Sequence, residues 1–64
     1  MKRRDLIANI EKYRCFFLRE GANHTVYKNV ANNRESSVPR HSDIGPWLSR
    51  KICKDLDIPP PRGK

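Results

Sequence analysis

Arg14-Cys15-Phe16-Phe17-Leu18-Arg19, Glu20-Gly21-Ala22-Asn23 and His24-Thr25-Val26-Tyr27-Lys28 follow one another without a break. The first segment is aromatic and apolar and is bounded by Gly21. The last is dominated by β-branched and aromatic residues, so both read as strands. Gly21 supplies the positive φ of a tight hairpin turn, and Asn23 tolerates such angles too. The return strand opens on a histidine, a side chain that titrates near neutral pH and so both takes and gives a proton. Alternation puts His24, Val26 and Lys28 on one side and Thr25 and Tyr27 on the other. Each set contains an apolar residue, so the pattern leaves open which side faces a core.

Outward from this hairpin the periodicity changes. Leu6, Ile7, Ile10 and Tyr13 recur at helical spacing, which predicts an amphipathic helix over residues 3–13. After Lys28, the asparagines at 29, 32 and 33 mark a turn. Glu35-Ser36-Ser37-Val38-Pro39 reads as a third strand, ending or lying on an edge because Pro39 cannot donate to a ladder. Pro46 suits the first turn of a helix. Ile44, Leu48, Ile52 and Leu56 repeat every four residues, joined by Trp47, and predict a second helix over 46–56. Pro59, Pro60 and Pro61 cannot extend it, so residues 58–64 are expected to form an extended, disordered tail after a single domain over 1–57. The order is helix, three strands, helix. Two helices with one apolar face each can cover one side of a three-stranded antiparallel sheet, an α+β arrangement.

The chain has 64 residues, with 14 Lys and Arg against 7 Asp and Glu, a formal charge of +7. A core this small is marginal and cannot enclose a deep pocket. An active site is therefore expected on the surface, where a large substrate such as RNA or protein suits it better than a buried metabolite. The basic excess favours nucleic acid, with an acidic protein as the other natural counterpart. Cys15 and Cys53 make no disulfide framework and fit buried free thiols in a cytoplasmic protein. No apolar run is long enough to span a membrane, and Asp5, Asn9 and Glu11 interrupt any signal-peptide core behind Met1-Lys2-Arg3-Arg4. Cys15, His24, His41 and Cys53 stand singly, without the close pairs typical of structural zinc, so no metal is expected.

Four segments carry a family resemblance through their order and spacing. They are Lys2-Arg3-Arg4-Asp5-Leu6-Ile7, Arg19-Glu20-Gly21-Ala22-Asn23-His24-Thr25-Val26-Tyr27, Val38-Pro39-Arg40-His41 and Arg50-Lys51-Ile52-Cys53-Lys54-Asp55-Leu56. Together they make the chain resemble the HicA family of mRNA interferase toxins, over nearly its whole length. The resemblance implies a fold like the double-stranded-RNA-binding domain (dsRBD-like), α-β-β-β-α. It also implies metal-independent endonucleolytic cleavage of mRNA with no cofactor, His24 as the catalytic residue, and a HicB-type antitoxin that covers the His24 site. Two departures stand out. Ala22 replaces a usual glycine, with Gly21 beside it, which shifts the turn by one residue. Arg14 stands where a glycine commonly ends the first helix, so that helix is expected to lack a left-handed cap.

RNA breaks without metal when its own 2′-hydroxyl attacks the adjacent phosphate. That requires a base on the 2′-oxygen, an acid on the leaving 5′-oxygen, and cations near the phosphorane. His24 is the candidate proton carrier. His41 is a second carrier, a helix cap or a phosphate contact. Arg19, Asn23, Lys28 and Arg40 are candidate RNA-binding residues around the hairpin, competing with the plainer role of solvated charges. Tyr27 and Trp47 can stack on bases, but their apolar neighbours favour core packing for both. The rival readings are a non-catalytic RNA-binding module of the same fold and an adaptor for an acidic protein.

Overall fold

The computed structural model describes residues 1–61 and has the order α1 (Arg3–Lys12), β1 (Cys15–Glu20), β2 (His24–Asn29), β3 (Arg34–Pro39) and α2 (Pro46–Asp55). The strands form one antiparallel sheet, β1-β2-β3. This is the dsRBD-like α+β fold, and the hairpin read from the sequence is its β1–β2 unit.

Both helices bury their apolar stripes on one face of the sheet. Leu6 and Ile10 from α1, Cys15, Tyr27 and Val38 from the strands, Ile44 from the connection, and Ile52, Cys53 and Leu56 at α2 form one core. Tyr27 therefore faces the helices, which puts His24 and Lys28 on the open face. Trp47 does not join this core: it is 69% exposed. The inward stripe of α2 is Ser49, Ile52 and Cys53, and Trp47 falls on the opposite side of the helix.

A break in regular pairing sets what else the open face carries. Phe17 pairs with Tyr27, but the next pair is Arg19 with Val26, leaving Leu18 as an extra residue. Such a bulge shifts the following side chains to the other face of the sheet. Arg19 thereby joins the side of His24, and Glu20 joins Thr25 on the helix side.

The helix ends are closed by backbone and side-chain partners from distant segments. At α1, Arg3 N–H donates to Ser42 O at 2.8 Å, beside a bridge between Lys2 and Asp43 and an Ile44 N–H to Met1 O bond of 2.7 Å. At α2, Asn29 Nδ2 and Asn32 Nδ2 donate to Leu56 O at 2.8 and 3.2 Å, and Arg34 Nε donates to Asp55 O at 3.0 Å. The turn between β2 and β3 thus satisfies carbonyls that a helix leaves unpaired.

Two expectations change at these termini. Arg14 adopts φ 69°, so α1 does end in a left-handed residue although no glycine is present, with Arg14 N–H donating to Glu11 O. Asp57, at φ 58°, ends α2 in a Schellman motif. Its N–H donates to Lys54 O and that of Ile58 to Cys53 O, both at 3.0 Å. Ile58 then packs on the core, and Asn9 Nδ2 reaches Pro59 O at 3.5 Å. The first tail residues are docked because the motif turns the apolar Ile58 inward. The rest of the expected tail, residues 62–64, lies outside the described residues.

A non-glycine residue in the left-handed region costs ~1–2 kcal/mol, partly offset by the chain entropy a glycine brings. Arg14→Gly is expected to stabilise the domain by about 0.5–1 kcal/mol, a rise of several degrees in melting temperature, whereas Asp57→Gly should be near neutral because aspartate tolerates this region; an unchanged or lower midpoint for Arg14→Gly in thermal denaturation would refute this. Burial pushes the Cys15 and Cys53 thiols up from their ordinary range. Both should resist alkylation at neutral pH in the native protein and react fully in denaturant, as a mass-spectrometric time course would show.

Candidate active site at the hairpin rim

His24 opens β2 opposite Pro39 of β3, half-buried at the rim of the sheet. Its carbonyl accepts the Gly21 N–H at 2.8 Å, and this bond closes the loop of Gly21, Ala22 and Asn23. The imidazole folds back over Gly21. A β-carbon added there would lie 3.1 Å from His24 Nε2, 3.1 Å from its carbonyl oxygen and 3.2 Å from Cδ2. The glycine is needed for this close approach. Its φ is not in the left-handed region, and neither Ala22 nor Asn23 has a positive φ. The sequence placed the right residue at the turn for a different reason, and Ala22 sits there without backbone strain.

Behind the loop, a chain of polar contacts fastens it to the strand ends. Arg40 Nη2 donates to Gly21 O at 3.1 Å and pairs closely with Glu20 Oε2. Thr25 Oγ1 donates to Glu20 Oε1 at 3.4 Å. Arg3, from the start of α1, donates through Nη2 to Thr25 Oγ1 at 3.2 Å and through Nε to Pro39 O at 2.8 Å. Arg3 and Glu20 were not singled out from sequence. Both lie within segments that carry the family resemblance, but neither was given a role. Neither ring nitrogen of His24 is engaged in a hydrogen bond among the described residues, although Nε2 lies against Gly21.

The other predicted residues are arranged unevenly. Lys28 lies on the His24 face without an ion pair among the described residues. Arg19 is on the same face, its guanidinium 3.6 Å from Glu35 across β2. That pair is exposed and weak, so Arg19 can be recruited by a phosphate. Asn23 is at the exposed loop tip. Arg40 is committed to holding the loop. His41 is exposed beyond the end of β3, with no hydrogen bond to His24 or to any other described residue. Among the described residues no group of three or more His, Cys, Asp or Glu side chains gathers to hold a metal ion, and no helix is long and apolar enough to cross a membrane.

The structure thus sets a half-buried histidine at the rim of a small, basic α-β-β-β-α domain. Residues 3–58 match the family model described as the HicA toxin of bacterial toxin–antitoxin. The chain belongs to the HicA toxin family, and such a toxin works against an antitoxin partner. Among curated proteins and among solved structures, none matches the chain.

Gly21→Ala is expected to leave the fold intact, because the clash is only a few tenths of an ångström, while displacing the imidazole. Circular dichroism and melting temperature should stay near wild type, and the ring protons of His24 should shift strongly in NMR; an unshifted ring would contradict the close approach.

Proposed function

We propose that the protein is a metal-independent endoribonuclease that cleaves mRNA through His24, and that a HicB-type antitoxin inhibits it by covering this rim. The observation that carries the reading is the free imidazole held over Gly21, on the sheet face that also bears Arg19 and Lys28. In this mechanism His24 removes the proton from a ribose 2′-hydroxyl. The 2′-oxygen attacks the adjacent phosphorus, a new O–P bond forms, and the bond to the 5′-oxygen breaks as that oxygen takes up a proton. The products are a 2′,3′-cyclic phosphate and a 5′-hydroxyl. Arg19, paired with Val26 on the same face, is the nearer cation for the charge that builds on the phosphorane, while Lys28, four residues along β2 and about 13 Å from His24, holds a neighbouring phosphate. Arg40 and Arg3 act by position, fixing the loop and the strand end on which the ring is mounted.

His41 is kept as a phosphate contact and not as the second proton carrier, since nothing aligns it with His24. Solvent serves as the acid in a site this open. General acid–base catalysis by one histidine is worth ~10²–10⁴-fold, and electrostatic stabilisation of the phosphorane adds to it.

His24→Ala should therefore cut single-stranded RNA at least about a hundredfold more slowly while binding it nearly as well. Wild-type cleavage should persist in EDTA and leave cyclic phosphate ends. Full activity in the variant, loss in EDTA, or 5′-phosphate products would each discard the mechanism.

A further inference from the structure

The outward side of α2 has an unusual composition. Trp47, Arg50, Lys51 and Lys54 stand at i, i+3, i+4 and i+7 and so form one stripe of the helix. They line, with Asp55, a shallow depression of about 390 Å³. A polar outer stripe is normal for a surface helix; a tryptophan that is 69% exposed within it is not. The acid in the depression is already engaged, since Asp55 Oδ2 accepts from Lys51 Nζ and from Ser36 Oγ, both at 3.2 Å. Arg50 and Lys54 have no ion pair among the described residues.

From this we infer that the Trp47–Arg50–Lys54 face is a second binding site for single-stranded RNA, with a base stacked on the indole and phosphates on the two unpaired cations. The inference rests on the RNA-cleaving reading above and adds where the strand goes beyond the cut. The ligand is argued from chemistry. An acidic peptide satisfies the cations but offers no flat surface to the ring, and a duplex keeps its bases stacked inside. An unpaired strand supplies both, and stacking on aromatic side chains is how such strands are held without sequence preference. Topology puts Trp47 toward the His24 end of the domain and Asp55 at the other, where it bonds Ser36 opposite Tyr27, so the strand passes round the sheet edge from the open face to the outer side of α2. Arg3 ties the start of α1 to Pro39, the partner of His24, and Met1 pairs with Ile44 just before α2. Trp47 lies in the first turn of α2, and the longest dimension of the domain is 27 Å, a span that a few nucleotides cover.

The chain has a single tryptophan, so its fluorescence reports this face alone. The non-cleaving His24→Ala protein is titrated with a short oligouridine RNA, with inorganic polyphosphate and polyglutamate as base-free controls. Oligouridine should quench the emission saturably and the controls should not. Trp47→Ala, placed on the same background, should weaken RNA binding about tenfold in an anisotropy assay. The Arg50→Gln, Lys54→Gln double variant should lower the slope of log K against log salt by about 1.4, at roughly 0.7 per phosphate. In the otherwise wild-type enzyme, Trp47→Ala should raise KM and spare kcat. RNA that binds without quenching and with equal affinity to Trp47→Ala would overturn the inference while wild-type cleavage leaves the reaction standing. Emission that responds to polyglutamate and not to RNA would overturn it in favour of an acidic protein surface. A wild-type protein that neither cuts nor binds RNA would remove both readings.

Discussion

Gly21 has no side chain, and the functional end of the molecule depends on that. Its N–H closes the hairpin on the His24 carbonyl at 2.8 Å, and its bare α-carbon leaves room for the imidazole at 3.1 Å. The same residue offers its carbonyl to Arg40, so the loop is fastened from both sides. Glu20, Thr25 and Arg3 continue the contacts to the backbone of Pro39 and the start of α1. The ring is thus held without a deep pocket. Local backbone bonds and one missing methyl group position it, and a domain of this size can provide those when it cannot spare a cavity.

The bulge at Leu18 does the complementary work on the open face. Regular pairing would have sent Arg19 toward the helices and Glu20 toward His24, placing a carboxylate beside the ring and removing a cation from its face. With one extra residue, Arg19 lies opposite Val26 and reaches across to Glu35, while Glu20 turns to Thr25 and Arg40. Val26 is only 7% exposed on this helix-free side, consistent with the aliphatic stems of such long side chains lying over it. Both the charge pattern near His24 and the cover of the open face follow from a single irregularity in β1.

The element order was legible in the sequence because each element has its own period, and the boundaries fell within a residue or two. Helical spacing at Leu6, Ile7 and Ile10, alternation through His24 to Lys28, and Pro46 at a helix start are all local signals. His24 was legible as the candidate catalytic residue from its motif, not from its surroundings. What was hidden depends on contacts between distant segments. Nothing in Phe16-Phe17-Leu18 announces a bulge. The left-handed angle of Arg14 falls on a residue type that normally avoids it, and is carried by the packing around that helix end. Trp47 was read as core because it is apolar and neighbours Leu48. The helix can turn only one stripe inward, however, and Ile52 and Cys53 had already fixed which.

A site that is shallow and built on a rim must gain affinity by spreading contacts instead of enclosing its ligand. The charge of +7 supports this, and the distribution of the acids sharpens it. Glu20 and Asp55 are each tied to a basic partner, while Lys28, Arg50 and Lys54 stay available. The cost of such a design is that a half-buried ring at a rim can be reached by any polymer that meets it. Control by occlusion is simple, since a complementary surface laid over the rim excludes the substrate without altering a single contact inside the toxin. The proposed mode of the antitoxin therefore follows from the same exposure that makes the proposed chemistry possible.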